Sequence, residues 1–163
     1  MAFVFSTSAP GLLSTSTTIQ FQFPCKSGDD VFVGGIFGAV NSTRGGGDPT
    51  IGGSAMTMAG IQTLGASENH VEFWYLISPP QVASTFSVPN SSSKNIRIQG
   101  ASLTAGGTPV FEAVVLGSGS GADPSISYTT TFDNDLLIHV LGTGSSFAPT
   151  LPNFTTIYIN DEG

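Results

Sequence analysis

The sequence predicts an all-β fold: a single antiparallel β-sandwich, jelly-roll-like, with about ten strands and negligible helix. Three observations lead to this prediction. Apolar residues recur with a period of two along many short segments, as in half-buried strands. Turn-forming residues separate these segments at short intervals, with 21 Gly and 10 Pro in 163 residues. The long stretches rich in Ala, Glu, Lys and Leu that helical bundles and coiled coils require do not occur.

The first strands are predicted from alternation and from glycine placement. Residues 18–23 alternate strictly, with Ile19, Phe21 and Phe23 on one face of the strand. Residues 31–40 form a long apolar strand, and its glycines at 34, 35 and 38 indicate a bulge or a close approach by a facing sheet. Residues 51–57 predict a hairpin-like element with Gly-Gly as its turn.

The strongest strand signal is His70–Ile77, in which Phe73 and Tyr75 lie on one face and Trp74 on the other. Consecutive prolines at 79 and 80 end it, because proline cannot donate to a sheet ladder. Further strands are predicted at residues 83–88, 95–103, 110–116, 125–132, 136–141 and 154–159. Gly, Pro and Asn turn clusters lie between them.

One domain accounts for this pattern. Residues 1–17 form an N-terminal arm or edge strand, and residues 18–163 form the β-sandwich domain, with 142–163 as a candidate extended terminal strand. Both terminal segments can pair with their own sheet or add to a neighbour's sheet, and pairing within the chain is the favoured alternative. The N-terminus has neither the basic nor the long apolar region of a secretory signal, so the chain is expected to be made in a cytosol.

Composition excludes several classes of protein. Lys and Arg number 4 against 11 Asp and Glu, for a net charge of −7, which argues against nucleic-acid binding through phosphates. Twelve Phe and 39% hydrophobic residues can form a core, so disorder is not expected. No apolar run has the length that membrane insertion requires. The single Cys25 cannot form an internal disulfide and is predicted to be a buried or half-buried free thiol and not a reactive nucleophile.

No catalytic site, cofactor site or metal site is predicted, and the protein is not expected to be an enzyme. His70 and His139 lie in strands without ligand partners at metal-binding spacing. The Gly-Ser-Gly-Ser-Gly run at 117–121 has no following helix to make a nucleophile elbow. The pair Asp29 and Asp30 and the triplet 133–135 are assigned to turns, although a weak calcium site at Asp133 and Asp135 stays open.

The alternating patterns also nominate residues for the core and for contacts with partners. The predicted core residues are Phe21, Phe23, Phe32, Phe73, Trp74, Tyr75 and Leu137. The predicted interface residues lie in the two terminal segments: Phe3, Val4, Phe5, Phe154, Ile157 and Ile159.

Several blocks carry a resemblance that covers about residues 18–141. They are Val-Phe-Val-Gly-Gly-Ile-Phe from Val31, Ile-Gly-Gly-Ser-Ala-Met-Thr from Ile51, Val-Glu-Phe-Trp-Tyr-Leu-Ile-Ser-Pro-Pro from Val71, Thr-Pro-Val at 108–110 and Asp-Leu-Leu-Ile-His-Val at 135–140. In these the chain resembles a β-sandwich domain that recurs in bacteriophage virion proteins and in bacterial surface or secreted proteins. The resemblance implies a structural or adhesive module without catalytic residues. It thins after Leu141, which mildly favours a shared or docked terminal strand.

The leading functional hypothesis is a virion structural protein that decorates a phage capsid or another virion surface, after synthesis in the host cytoplasm. The stand-alone sandwich, the acidic balance and the resemblance motivate it. Its partners would be a capsid or other virion protein and copies of itself, in a homo-oligomer or multi-copy assembly. Two alternatives stay open: a self-assembling extracellular filament subunit with strand exchange, and a carbohydrate-binding or receptor-adhesion module.

Overall fold

A computed structural model describes residues 3–38, 44–63 and 70–116, together with Ser127, Thr129 and Ile138. These residues contain nine strands and no helix. The strands are β1 (Phe3–Ser14), β2 (Thr18–Phe23), β3 (Val31–Gly38), β4 (Thr50–Ile51), β5 (Ser54–Ala55), β6 (Thr57–Thr63), β7 (His70–Ile77), β8 (Ser84–Pro89) and β9 (Ile96–Ala105).

Two antiparallel sheets hold these strands. The larger has the order β1-β9-β3-β7-β6, and the smaller has the order β2-β8-β4-β5. The prediction of an all-β chain built from antiparallel sheets is therefore confirmed for the described residues, and the arrangement is consistent with a β-sandwich. The number of ten strands is not confirmed, since nine are described and the segments predicted at 125–132, 136–141 and 154–159 fall almost wholly outside the described residues.

β1 lies at one edge of the five-stranded sheet, where it pairs with β9 from Phe3 opposite Ala105 to Ser14 opposite Ile96. The register shifts twice along the pair, and the second shift spans the Pro-Gly step at residues 10 and 11. Proline and irregular pairing are common at sheet edges, because an edge strand needs hydrogen bonds on one side only. Residues 15–17 are exposed and connect β1 directly to β2 in the other sheet.

Gly34 of β3 makes room for the facing sheet. β3 pairs without any register shift on both sides, so it contains no bulge. Gly34 lies directly opposite Gly100 of β9, and a methyl group on Gly34 would lie 2.8 Å from Cζ of Phe86 in the smaller sheet. A methyl group on Gly100 would lie 2.7 Å from Cζ of Phe32. Of the two predicted explanations for these glycines, close approach by a facing sheet is therefore the correct one at Gly34.

The predicted Gly-Gly hairpin is confirmed. β4 and β5 pair as Thr50 with Ala55 and Ile51 with Ser54, which leaves Gly52 and Gly53 as a two-residue loop. Both have positive φ, 58° and 83°, which is the requirement of the type I′ turn that matches strand twist.

One predicted strand is wrong and one strand was missed. Residues 110–116 form no strand; they run beside the five-stranded sheet and contact it through side chains. Their apolar, β-branched composition matches a strand, but packing across a sheet face satisfies the same composition without backbone pairing. β6 was not predicted as a strand, because its apolar positions do not alternate and Gly60 interrupts the pattern.

The main core lies between the sheets, and the residues predicted for it fall into two groups. Phe23 and Phe32 are fully buried, Trp74 is 2% exposed, and Phe21 packs against them as a half-buried residue. The rings contact one another edge to face, with centroids 4.8 Å apart for Phe23 and Phe32.

Phe73 and Tyr75 are the second group, and they do not belong to that core. They face the outer side of the five-stranded sheet, since side chains alternate along a strand and Trp74 points inward. There they pack, half-buried, on a smaller cluster formed by Val31, Val33, Ala101 and Leu103, with Ile138. Leu137 lies outside the described residues.

Candidate functional site: a buried ionic cluster and an apolar sheet edge

A charged cluster lies buried between the sheets at one end of the described structure. Arg44 and Glu72 form an ion pair with 2.9 Å between Nε and Oε2, and their side chains are 6% and 4% exposed. His70 donates from Nε2 to Oε1 of Glu72 at 3.1 Å, and Trp74 donates from Nε1 to Oε2 at 2.7 Å. The guanidinium carbon of Arg44 also lies 5.3 Å from the centroid of the Trp74 ring.

This cluster connects the two sheets. His70, Glu72 and Trp74 follow one another at every second position of β7, so all three point inward. Arg44 reaches the carboxylate and also donates through Nη1 to the carbonyls of Gly47 (2.8 Å) and Pro89 (3.2 Å), the latter at the end of β8. The guanidinium thus links β7 of the larger sheet to β8 of the smaller one.

The electrostatics of the cluster keep Glu72 ionised. Burial alone would raise the pKa of Glu72, but the hydrogen bond from His70, the charge of Arg44 and the bond from Trp74 together hold it below its usual value of 4.5. Arg44 and Glu72 are both almost fully buried, and they connect the two sheets. We therefore interpret the cluster as a structural clamp, meaning a set of contacts that holds the two sheets together. Trp74 is part of it, so its ring offers no exposed face on which a sugar could stack.

The pattern that could have revealed this cluster was present in the sequence. Alternation placed Glu72 on the same face as Trp74, which was assigned to the core, and a carboxylate on a core face requires a partner. The chain offers only four basic residues, and Arg44 is one of them. The pairing itself joins residues 28 positions apart, which no local pattern indicates.

The predicted acidic turn at Asp29 and Asp30 is confirmed. The backbone N–H of Asp29 donates to the carbonyl of Lys26 (3.2 Å), and Oδ2 of Asp29 accepts from the backbone N–H of Lys26 (2.7 Å), so both bonds close the turn. Asp30 accepts at Oδ2 from the backbone N–H of Ala105 (2.6 Å) at the end of β9. In the described part of the chain, no three His, Cys, Asp or Glu side chains come together as a metal site would require. His139, Asp133, Asp135 and the run at 117–121 lie outside that part.

Cys25 is buried and reduced, in agreement with the prediction. Burial, with a smaller contribution from the charge of Asp29, raises the pKa of its thiol to about 11. Because the thiolate is the reactive form, the thiol is inert near neutral pH.

A group of exposed apolar side chains lies around β6, at the other edge of the five-stranded sheet. β6 pairs with β7, with Met58 opposite Trp74 and Ile61 opposite Glu72. Opposed residues share a face, so Met58 and Ile61 lie on the inner face. They are nevertheless 45% and 40% exposed.

The outer face of β6 is apolar as well. A methyl group on Gly60 would lie 3.0 Å from Leu116 and 3.2 Å from Val114, so residues 110–116 run beside this part of the strand. Their start is fixed by Phe111, which stacks on Tyr75 with centroids 4.5 Å apart. Val114, Val115 and Leu116 remain 38%, 44% and 48% exposed. We call Met58 and Ile61 on the inner face of β6, together with these three exposed residues of the neighbouring segment, the β6 edge.

The predicted interface residues lie elsewhere. Phe3, Val4 and Phe5 belong to β1, and Val4 is 61% exposed. Phe154, Ile157 and Ile159 lie outside the described residues. The β6 edge was missed because its apolar side chains come from two separate segments, one of which was predicted as a strand.

A search of the described residues for a helix long and apolar enough to cross a membrane found none. Comparison with protein-family models, with curated proteins and with solved structures gave no match. The resemblance to virion and bacterial surface domains therefore stays a prediction, and functional inference depends on the fold and on these two sites.

Proposed function

We propose that the chain is a non-catalytic structural protein of a virion surface, most simply a capsid decoration protein that binds the shell and neighbouring copies. The observation that carries the proposal is the β6 edge, where a small all-β scaffold presents exposed apolar side chains of β6 and of the neighbouring segment. Exposed apolar clusters of this kind are typical of surfaces that bind other proteins.

The proposed mechanism is physical. The buried ion pair and the interlocked Phe rings hold the two sheets in a fixed arrangement, so the edge is presented in one geometry. A specific contact needs about 1,000 Å² or more of total buried surface, so the partner would have to contact residues around the edge as well as the edge itself. The net charge of −7 gives the remaining surface a repulsive character that limits unspecific association.

Mass spectrometry of purified virions from the genome that encodes the chain tests this proposal. We expect the chain in every preparation, at a copy number that is a fixed ratio to the major shell protein, because decoration follows the symmetry of the shell. A host protein of similar size and abundance serves as the carry-over control. Virions without the chain, or with it at the carry-over level, would contradict the proposal.

A second candidate, a filament subunit with strand exchange, is favoured by the attachment of β1. This strand is hydrogen-bonded along one side only, to β9, and the exposed residues 15–17 form its connection to β2. The hydrogen bonds between β1 and β9 can also form between two chains. In that case β1 of one copy adds to β9 of its neighbour and makes the contacts that it makes within one chain.

Deletion of residues 1–17 distinguishes the filament hypothesis from the capsid-decoration hypothesis. We expect the truncated chain to stay monomeric, while the full chain forms filaments in electron micrographs at the same concentration. Filaments that persist after the deletion would count against exchange of β1.

A further inference from the structure

We propose that Asn90 is a latch on the connector between β1 and β2, meaning a residue whose hydrogen bonds hold this connector in the path that keeps β1 in its own chain. The connector is residues 15–17. The inference rests on the filament role given above as the second candidate, and it names the residue that controls whether β1 pairs within one chain or between two chains.

The connector is the part of the chain that distinguishes the two kinds of pairing. It joins β1 of the five-stranded sheet to β2 of the four-stranded sheet within three residues. The hydrogen bonds between β1 and β9 are the same in both cases, so they do not favour either one. When β1 enters the sheet of a neighbour, the backbone of the connector must take a different path. Contacts that fix its present path therefore stabilise pairing within the chain.

The side chains of the connector are exposed, but hydrogen bonds fix its backbone. The N–H of Asn90 donates to the carbonyl of Thr17 at 2.7 Å, next to the ladder between β2 and β8. Nδ2 of Asn90 donates to the carbonyl of Ser16 at 3.0 Å, and the N–H of Ser16 donates to Oγ of Ser14 at 3.1 Å. Both backbone polar groups of Ser16 are therefore bound to side chains, and these bonds fix the bend between the sheets.

Asn90 cannot follow the connector if the connector moves away. It is 0% exposed, its Nδ2 also donates to the carbonyl of Lys94 (2.8 Å), and its Oδ1 accepts from the N–H of Lys94 (3.2 Å). The carbonyl of Pro89 beside it accepts from Arg44, so the clamp holds the end of β8 that carries the latch. Loss of Ser16 would leave a buried N–H without its acceptor, and such a group is costly. Exchange of β1 must overcome this cost.

Refolding from urea at high protein concentration, followed by size-exclusion chromatography, tests the latch. We expect Asn90→Ala to raise the association constant of the exchanged dimer about tenfold or more over the wild type, because the bond to Ser16 no longer opposes exchange. Gly34→Ala is the matched control. It strains the core, since its methyl group would meet Phe86 and not the connector, and it should leave the association constant near the wild-type value.

A second variant keeps the test decisive if circular dichroism shows that Asn90→Ala does not fold. Ser14→Ala removes the exposed bond to the N–H of Ser16 and leaves the buried side chain of Asn90 unchanged. It should raise the association constant in the same direction by a smaller factor. A folded Ser14→Ala chain that does not differ from the wild type would then contradict the proposal.

Cross-linking identifies the strand that is exchanged. Val4 of β1 lies opposite Thr104 of β9. Asn90→Ala chains that carry Val4→Cys are refolded together with Asn90→Ala chains that carry Thr104→Cys, and mild oxidation should join the two chains only where β1 of one pairs with β9 of the other. Cys25 is buried and should not interfere.

The outcomes separate the latch from the filament role. Dimers without the cross-link would overturn the proposal, and so would equal association constants for Asn90→Ala, Gly34→Ala and the wild type. Cross-linked dimers that Asn90→Ala promotes, together with a wild-type chain that forms no filaments in electron micrographs, would refute the filament role and leave the latch in place.

Discussion

Replacing Glu72 with alanine is expected to lower the free energy of unfolding by about 3–5 kcal/mol, the usual cost of removing one partner from a buried ion pair. Arg44 would stay 6% exposed with no carboxylate within reach, and the N–H groups of Trp74 and His70 would lose their acceptor. Each unsatisfied buried group adds its own desolvation cost. The loss should therefore exceed that of an ordinary surface substitution many times over.

Urea unfolding at pH 7 measures this change. Glu112→Ala is the matched control, because Glu112 is exposed, and it should alter stability by less than about 0.5 kcal/mol. Glu72→Gln keeps the shape and part of the hydrogen bonding, and it should fall between alanine and the wild type. A loss below about 1 kcal/mol for Glu72→Ala would contradict the assignment of the cluster as a clamp between the sheets.

The carboxylate of Glu72 also determines in which direction the free energy of unfolding changes with pH. Its pKa in the folded protein lies below the ordinary value of 4.5. A carboxyl group of this kind contributes stability that is fully present above the unfolded-state pKa and is lost as the pH falls through the folded-state value. The stability difference between the wild type and Glu72→Gln should therefore be constant above about pH 5 and shrink at lower pH.

The second large effect is expected at Gly34, where alanine should cost about 1–3 kcal/mol through overpacking. The added methyl group would lie 2.8 Å from Cζ of Phe86 and 3.3 Å from Cε of Met56. An aromatic ring fixed among other rings cannot move aside as a flexible chain end can, and Phe86 lies 5.2 Å from the ring of Phe32. The cost should therefore appear as lost stability and not be absorbed by a small shift.

A double-mutant cycle identifies the cause. Phe86→Leu removes the ring atoms that the methyl group would meet, so Gly34→Ala with Phe86→Leu should cost at least about 0.5 kcal/mol less than the sum of the two single changes. Gly47→Ala is the control, since a methyl group there meets nothing within 4 Å. Additive effects within about 0.3 kcal/mol would show that the two residues do not compete for the same space.

Local patterns predicted the parts of the fold that local physics determines. The period-two apolar pattern of His70–Ile77 identified β7 and its two faces, and the Gly-Gly pair identified the hairpin between β4 and β5. The segment 110–116 was assigned wrongly because strand composition does not require a strand partner. Whether a valine-rich segment pairs or packs depends on which sheet edge is vacant, and that is decided by distant parts of the chain.

The candidate sites were harder to predict than the strands. Glu72 and Arg44 lie 28 positions apart in different segments, and no local pattern along the sequence shows that they meet. Met58 and Ile61 of the β6 edge are exposed on a face that points inward, and no local pattern of the sequence indicates this exposure. Both features are products of tertiary arrangement, so the sequence alone indicated the residue types and not their neighbours.

The pairing of β1 with β9 also sets an order of events during synthesis. The partner of Phe3 is Ala105, so the first strand of the chain has no partner of its own until β9 has been made. At the usual rates of translation, that interval is about 5–20 s. Over this time β1 has no partner within its own chain, so it can pair with β9 of another copy whose own β1 has not yet paired. Crowded synthesis therefore favours exchanged strands, and dilute refolding of the same chain favours pairing within one molecule.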